Sequence, residues 1–270
     1  MNHKLTHYQG VMEVKLNHEQ DRNKDLPKKQ TSKREKVKTF SRKSRRNLFK
    51  YILKLENRKG FYFITLTYPS EYDENYETWK KQLHQLYSSL KYHYPEMGFL
   101  WKLEFQKRGA PHFHLLAFVP TTPPMEEIKK LIKDTWYRIV SIKSKGFRHW
   151  GTDVKKVKDI RSSGFYLAMY QCKDQNHRTD IQTGRIWGIY GRKMMPMSEQ
   201  GTEQLTEYNY KLLKRICRRW VAKQPNSRGY ANYLKARVGS FQIFMPNHEQ
   251  VRLLNWIGSR PQSGHSKVIT

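Results

Sequence analysis

Cysteine is scarce in this chain, which has two, Cys172 and Cys217, among 270 residues. They form neither a CxxC pair nor a Cys-His zinc spacing, and two cysteines cannot supply a disulfide framework. Long apolar stretches are also lacking, since no run approaches the roughly 20 residues that cross a bilayer. The N-terminal MNHKLTHYQG is polar and has no apolar signal-peptide core. We therefore expect a soluble, cytoplasmic protein without a membrane partner.

Acidic residues are the other shortage: there are 23 of them against 52 lysines and arginines, so the formal net charge is +29. An excess of this size implies a polyanionic partner. Nucleic acid is the leading candidate, because its backbone phosphates neutralise cationic surfaces. A highly charged but inert surface, or attachment to an anionic membrane, is the alternative. Aromatic residues make up 13% of the chain, which suits stacking on unpaired bases, although most aromatics pack in a core.

The chain divides into three segments by composition. Residues 1–56 are strongly basic and are predicted to be a weakly structured arm, whose last part, 41–55, has helical spacing. Residues 57–196 alternate strand-like and helix-like patterns and are predicted to form the main domain. Residues 197–270 are predicted to be a mostly helical accessory extension, with an amphipathic helix over 204–223.

The middle segment predicts a sheet with helices packed against it. Strands are indicated by β-branched and aromatic runs or by alternation, in FYFITLTYP, GFLWKLEFQ, HFHLLAFV, the region 150–157 and RIWGIYG. Helices are indicated by apolar residues three and four apart, in the stretch from Trp79 to Leu90, in PPMEEIKKLIKDTWYRIV and in SSGFYLAMYQCK. The order of these elements favours an α+β fold, with a central antiparallel sheet of about five strands flanked by helices.

Two histidines one residue apart, His112 and His114, occupy the apolar stretch that follows a Gly-Ala-Pro turn signal. Side chains alternate across a strand, so both imidazoles lie on one face. A hairpin folded about residues 107–110 brings Glu104 nearly opposite His112 and on the same face. One carboxylate and two imidazoles suit Mn2+ or Mg2+, with zinc the second choice because no thiolate is near. The alternative is a pair of satisfied core imidazoles, which is the commoner origin of an isolated His-x-His.

A second pattern lies in GFYLAMYQCK. On a helix, Tyr166, Tyr170 and Lys173 fall in one narrow stripe at i, i+4 and i+7. A separate apolar stripe, able to bury against the sheet, is formed by Phe165, Met169 and Cys172. A tyrosine hydroxyl can attack a phosphodiester, a divalent metal can polarise the phosphate, and a lysine can neutralise the developing charge. A Tyr-x-x-x-Tyr spacing by itself more often reflects packing.

Together these patterns resemble the HUH endonucleases, specifically the two-tyrosine rolling-circle replication initiators of plasmids and single-stranded DNA phages. FITLTYP at 63–69 is similar to the first motif of the family, and PHFH at 111–114 to its histidine-hydrophobic-histidine motif. YLAMYQCK at 166–173 is similar to the two-tyrosine third motif. GRIWGIYG at 184–191 is similar to a Trp-Gly segment common in such initiators. The likeness extends over about residues 61–191.

The resemblance implies a fold and a metal site. The sheet is expected to be ferredoxin-like or RRM-like, with five antiparallel strands and the histidines on a central strand. Glu104, His112 and His114 are expected to be the ligands of a divalent metal, Mn2+ or Mg2+. Thr65 and Thr67, which belong to the first motif, are expected to be structural residues.

The resemblance also implies a reaction. One strand of origin DNA is expected to be nicked, which leaves a free 3′-hydroxyl as primer and a 5′-phosphotyrosine on the protein. By position, Tyr170 is expected to be the main nucleophile and Tyr166 the second, used alternately to terminate or rejoin strands. Lys173 is expected to orient the site. Met169 stands where many relatives have a lysine.

The expected partners are origin or single-stranded DNA and the host replication machinery. The chain has no G-x4-G-K-[ST] phosphate loop, because GFRHWGT at 146–152 has threonine where lysine is required. Unwinding would then need a host helicase. A related HUH transposase or mobilisation relaxase is the alternative enzyme. A non-catalytic module that binds single-stranded nucleic acid on the same sheet is the alternative from another class.

Overall fold

The computed structural model describes residues 3–16, 40–140, 147–158, 160, 183–225, 227–236 and 239–259. The chain forms two compact units, one that combines Met1–Gln30 with Ser198–Thr270 and one that covers Thr31–Met197. The described strands are β1 (His3–Tyr8), β2 (Val11–Leu16), β3 (Phe61–Thr67), β4 (Gly98–Phe105), β5 (Pro111–Phe118), β6 (Thr152–Lys156), β7 (Trp187–Tyr190), β8 (Gly201–Leu205) and β9 (Phe241–Phe244). The described helices are α1 (Arg42–Leu53), α2 (Tyr76–His93), α3 (Met125–Val140), α4 (Phe147–Trp150), α5 (Glu207–Ala222), α6 (Arg228–Ala236) and α7 (Asn247–Gly258).

Strands β3 to β7 make one antiparallel sheet in the order β6-β3-β5-β4-β7. β5 lies at its centre, because it pairs with β3 on one side and with β4 on the other. Alternation along β5 places Phe113, Leu115 and Ala117 on one face, in a core shared with α2 and α3. Leu116 and Phe118 lie on the opposite face and pack with α1. The predicted α+β fold, a five-stranded antiparallel sheet flanked by helices, is therefore confirmed.

The helices on the first of these faces form where capping and spacing predict them. α2 begins after Asn75, whose side chain accepts a hydrogen bond from Glu77 N at 2.9 Å. Its buried residues recur at intervals of three and four and are Trp79, Leu83, Leu86 and Leu90. α3 is fastened to the sheet by Trp136, whose Nε1 donates to Thr67 O at 2.9 Å. Both predicted helices are thus present and bury their predicted apolar stripes.

The other unit has its own sheet and its own core. Four antiparallel strands lie in the order β8-β1-β2-β9, so the N-terminal hairpin is at the centre of the sheet. Its core combines residues from both ends of the chain, among them Leu5, Val14, Leu213, Phe241 and Leu253. The amphipathic helix predicted over 204–223 is α5. The C-terminal segment also contains β8 and β9, in addition to its three helices.

The prediction of a weakly structured arm over residues 1–56 is wrong for residues 3–16, which form the β1–β2 hairpin. Its basic residues are typical of a solvated tail, and its other strand partners, β8 and β9, lie near the opposite end of the chain. A local pattern cannot reveal such pairings. The helix predicted within 41–55 is α1, and it belongs to the unit that starts at Thr31, ahead of the boundary predicted at residue 57.

None of the helices that the structure describes is long and apolar enough to cross a membrane.

The hairpin should contribute measurably to stability. Leu5 is fully buried in the core of its unit, so Leu5→Ala should lower the free energy of unfolding by about 2–5 kcal/mol through lost burial and a residual cavity. Hydrogen exchange should quicken in α5 and α7, which share that core. Lys4→Ala is the control, because Lys4 is exposed on the same strand. Equal stability of the two variants would show that the hairpin is dispensable.

Candidate active site

The two histidines and the glutamate are brought together by the pairing of β4 with β5. Glu104 lies directly opposite His112, and Lys102 directly opposite His114. The turn is closed by two backbone hydrogen bonds, from Gln106 N to Ala110 O at 2.9 Å and from Gly109 N to Gln106 O at 2.8 Å. Gly109 has a φ of 84°, which glycine adopts without strain. The predicted register, with Glu104 opposite His112, is confirmed.

Each imidazole is oriented by a threonine of β3. The pairing of β3 with β5 places Thr65 opposite His114 and Thr67 opposite His112. Thr65 Oγ1 is 3.3 Å from His114 Nδ1, and Thr67 Oγ1 is 3.2 Å from His112 Nδ1. Because Nδ1 is engaged in both rings, Nε2 is the atom that each ring has left to offer a ligand. The threonines are structural, as expected, and their contribution is to orient the two rings.

The Glu104 carboxylate is held between a lysine and a histidine. Its Oε1 accepts a hydrogen bond from Lys102 Nζ at 2.6 Å, and its Oε2 is 3.3 Å from His114 Nε2. The rings of His112 and His114 are nearly perpendicular, with their centroids 4.6 Å apart. Glu104, Lys102 and His114 are all buried, so these polar contacts form away from bulk water. The three predicted ligands are therefore neighbours on one face of the sheet.

Lys102 is a site residue for which the sequence analysis predicted no role. Its side chain is fully buried, and its Nζ also lies 5.1 Å from the centre of the Phe40 ring. A buried lysine is rare unless it is paired. The signal that could have found it is strand parity, because a lysine two residues before Glu104 must share the face of Glu104.

The pKa shifts favour the protonation states that metal ligation requires. Burial alone raises the pKa of Glu104, but the hydrogen bond with His114 and the charge of Lys102 outweigh it, so the pKa lies below its ordinary value. Burial, and then repulsion from His114, lower the pKa of His112 to about 4. At neutral pH the carboxylate is therefore charged and the His112 ring is neutral.

The three side chains are close but do not already surround one point. Among the residues that the structure describes, no three His, Cys, Asp or Glu side chains are arranged as a ready ion site. Glu104 instead directs one oxygen to Lys102 and the other to His114. The donor set, two imidazole nitrogens and a carboxylate oxygen, fits a divalent ion chemically. Binding an ion would require Glu104 Oε2 to exchange its contact with His114 for the ion.

The predicted nucleophiles, Tyr166 and Tyr170, and the predicted orienting residue Lys173 lie outside the described residues. The Trp-Gly segment is described and forms β7, the edge strand that pairs with β4. Its Gly188 packs flat against Trp101, since a Cβ there would lie 2.8 Å from the Trp101 ring. This segment therefore supports the strand that holds Glu104.

The Lys102–Glu104 pair should be worth far more than a surface pair. Lys102→Met should lower the free energy of unfolding by about 3–5 kcal/mol, because it strands a buried carboxylate. The double variant Lys102→Met/Glu104→Gln should cost less than the sum of its single changes in a urea-unfolding cycle. Lys155→Met is the control, because it breaks the exposed Lys155–Asp153 pair, whose atoms are also 2.6 Å apart, and should cost less than about 1 kcal/mol. Similar costs for Lys102→Met and Lys155→Met would contradict this.

Comparison with known proteins links this site to replication. Residues 61–175 match the family of replication-associated protein ORF2 and its phage counterparts, and that segment contains Glu104, both histidines, both tyrosines and Lys173. The chain is also similar to a replication-associated protein of Pseudomonas phage Pf3. The two are 22% identical over 182 residues, which are 59% of this chain and 64% of the phage protein. The match thus spans less than two thirds of that relative's length.

Proposed function

We propose that this protein is a rolling-circle replication initiator that nicks and rejoins single-stranded DNA at an origin. The observation that supports this most is the convergence of Glu104, His112 and His114 on one sheet face, inside the segment that matches the replication-associated family. Both similarities support a replication initiator role, and the net charge of +29 suits a DNA partner.

Glu104, His112 and His114 would hold a divalent ion, Mn2+ or Mg2+. The two Nε2 atoms and Glu104 Oε2 would be the ligand atoms, while Thr65 and Thr67 hold the rings through Nδ1. The ion would supply polarisation of the scissile phosphate and stabilise the charge that develops on it. Lys102 would keep the second carboxylate oxygen of Glu104 in place.

The proposed chemistry is a transfer of the phosphodiester from DNA to a tyrosine. Tyr170 Oη would attack phosphorus and lose its proton to solvent, the new O–P bond replacing the P–O3′ bond of the strand. The departing 3′-oxygen would take up a proton and become the free 3′-hydroxyl primer, and the 5′-phosphate would remain on Tyr170. Lys173 would orient the phosphate, and the same exchange through Tyr166 would rejoin strands. A host helicase would open the duplex.

A non-catalytic binding module is disfavoured by the cost of the site. Binding single strands calls for cationic and aromatic surface groups. It gives no reason to bury a lysine, a glutamate and a histidine together, since desolvating charges costs several kcal/mol. A transposase or relaxase would use the same site, so the DNA that is cut distinguishes those enzymes from an initiator.

Manganese should stabilise the protein through the two histidines. At an ion concentration about 100 times the dissociation constant, the free energy of unfolding should rise by about 2.7 kcal/mol, which thermal unfolding and calorimetric titration can detect. His112→Ala and His114→Ala should lose this effect. His84→Ala should keep it, because His84 is exposed on α2. Equal stabilisation of all variants would place the ion elsewhere, and a preference for zinc would revise its identity.

A covalent adduct should form on DNA labelled at its 3′ end, because the label stays with the fragment that carries the 5′-phosphotyrosine. Single-stranded oligonucleotides tiled across the DNA that flanks the gene would be incubated with Mn2+ and separated under denaturing conditions. Tyr170→Phe and His112→Ala should abolish the adduct. Tyr92→Phe should retain it, because Tyr92 is 84% exposed and remote from the motif in sequence.

The other outcomes of this experiment are equally informative. An adduct that persists in Tyr170→Phe would assign the nucleophile to Tyr166. No adduct on any oligonucleotide would favour the binding module.

A further inference from the structure

A concave, strongly cationic surface lies on the unit that contains the N-terminal hairpin and α5. This basic groove, with a volume of about 330 Å³, is lined by Lys211, Lys214, Arg215 and Arg218 of α5 and by Lys235 of α6. Its acidic member is Glu207, 3.4 Å from Lys211. Two helices thus direct five cations and one acid toward a single concavity.

The cations of α5 form a stripe that the packing of the helix does not need. Positions 211, 214, 215 and 218 fall at i, i+3, i+4 and i+7, which is one side of a helix. The buried positions lie on the other side and are Asn209, Tyr210, Leu213, Cys217 and Val221. Cations crowded in this way repel one another. The crowding is therefore a cost to the fold, and a bound polyanion would relieve it.

An ordinary solvated face does not account for this arrangement. α5 also has Arg219, and Lys223 follows it; both are exposed but do not line the groove. If the charges served solubility alone, they would need no common concavity, and α6 would have no reason to add Lys235 to it. Lys211 and Arg218 are about 10 Å apart along the helix axis, which is long enough to meet more than one backbone phosphate.

We propose that the basic groove binds the phosphate backbone of DNA, as a surface separate from the nicking residues. This inference rests on the proposed function for the identity of the polyanion. Nucleic acid is favoured over an anionic membrane because the surface is concave. In addition, α6 presents Tyr230 and Tyr233, exposed and stacked with their centroids 5.6 Å apart, which suits base stacking. Lysine and arginine contacts to phosphate are independent of base sequence.

The salt dependence of binding tests the groove without requiring catalysis. Anisotropy of a labelled oligonucleotide of arbitrary sequence, single-stranded or duplex, would be measured over a range of salt concentrations with EDTA present. Arg215→Ala/Arg218→Ala should reduce the slope of log K against log salt by about 1.4 for a single strand or about 1.8 for a duplex. The arm with the larger slope change identifies the form of DNA bound.

The matched control is Arg219→Ala/Lys223→Ala, which removes two cations from the same stretch of chain outside the groove. It should change the slope by much less. Equal loss in both double variants would overturn the proposal in favour of diffuse surface charge, and an unchanged slope in the groove variant would overturn it outright. Thermal unfolding would confirm that both variants are folded.

Two further outcomes separate the groove from its alternatives. If the groove variant lost binding to phosphatidylserine vesicles but kept its DNA slope, the surface would be a membrane site and the proposal would fail. If wild-type protein formed no covalent adduct but the groove variant still lost slope, the proposed function would fail and the groove would stand as a nucleic-acid surface.

Discussion

The antiparallel pairing of β5 with two neighbours is the constraint on which the candidate site depends. Because side chains alternate along the strand, Phe113 must enter the helix-side core if His112 and His114 are to share the other face. A slip of one residue would place the histidines in that apolar core and Phe113 among the polar groups. The apolar side of β5 thus determines where the imidazoles lie, and the pairs with β3 and β4 supply their threonine and glutamate neighbours.

Electrostatics explains how this polar face tolerates burial. Glu104 is ionised because Lys102 and His114 surround it, and His112 is neutral because burial and His114 lower its pKa. Removing any one of these groups would leave another charge without compensation. Lys102 would also repel a bound cation, so it limits metal affinity while it positions the ligand. A site of this kind favours an ion held weakly enough for a phosphate to share it.

Local pattern predicted the parts of the molecule whose partners are close in sequence. The Glu104–His112 register followed from parity across a short turn, and α2 and α3 followed from apolar spacing. The β1–β2 hairpin escaped prediction because its other partners are β8 and β9, far along the chain. Lys102 lay within reach of the same parity argument, but composition counted it among many surface lysines. The assignment of Tyr166, Tyr170 and Lys173 remains a prediction.

A cation-rich protein that binds a divalent ion has to keep most of its cations away from the ion. At about 4 Å, two like charges near a protein surface repel by roughly 4 kcal/mol. Around the described ligands the nearby cations are accordingly committed to other groups: Lys102 to Glu104, and Arg108 to the carbonyls of Tyr68 and Pro69. Phosphate-binding strength then has to come from cations elsewhere, and the basic groove meets that requirement because its charges compete with no metal ligand. Separating affinity from chemistry in this way lets each be adjusted without weakening the other.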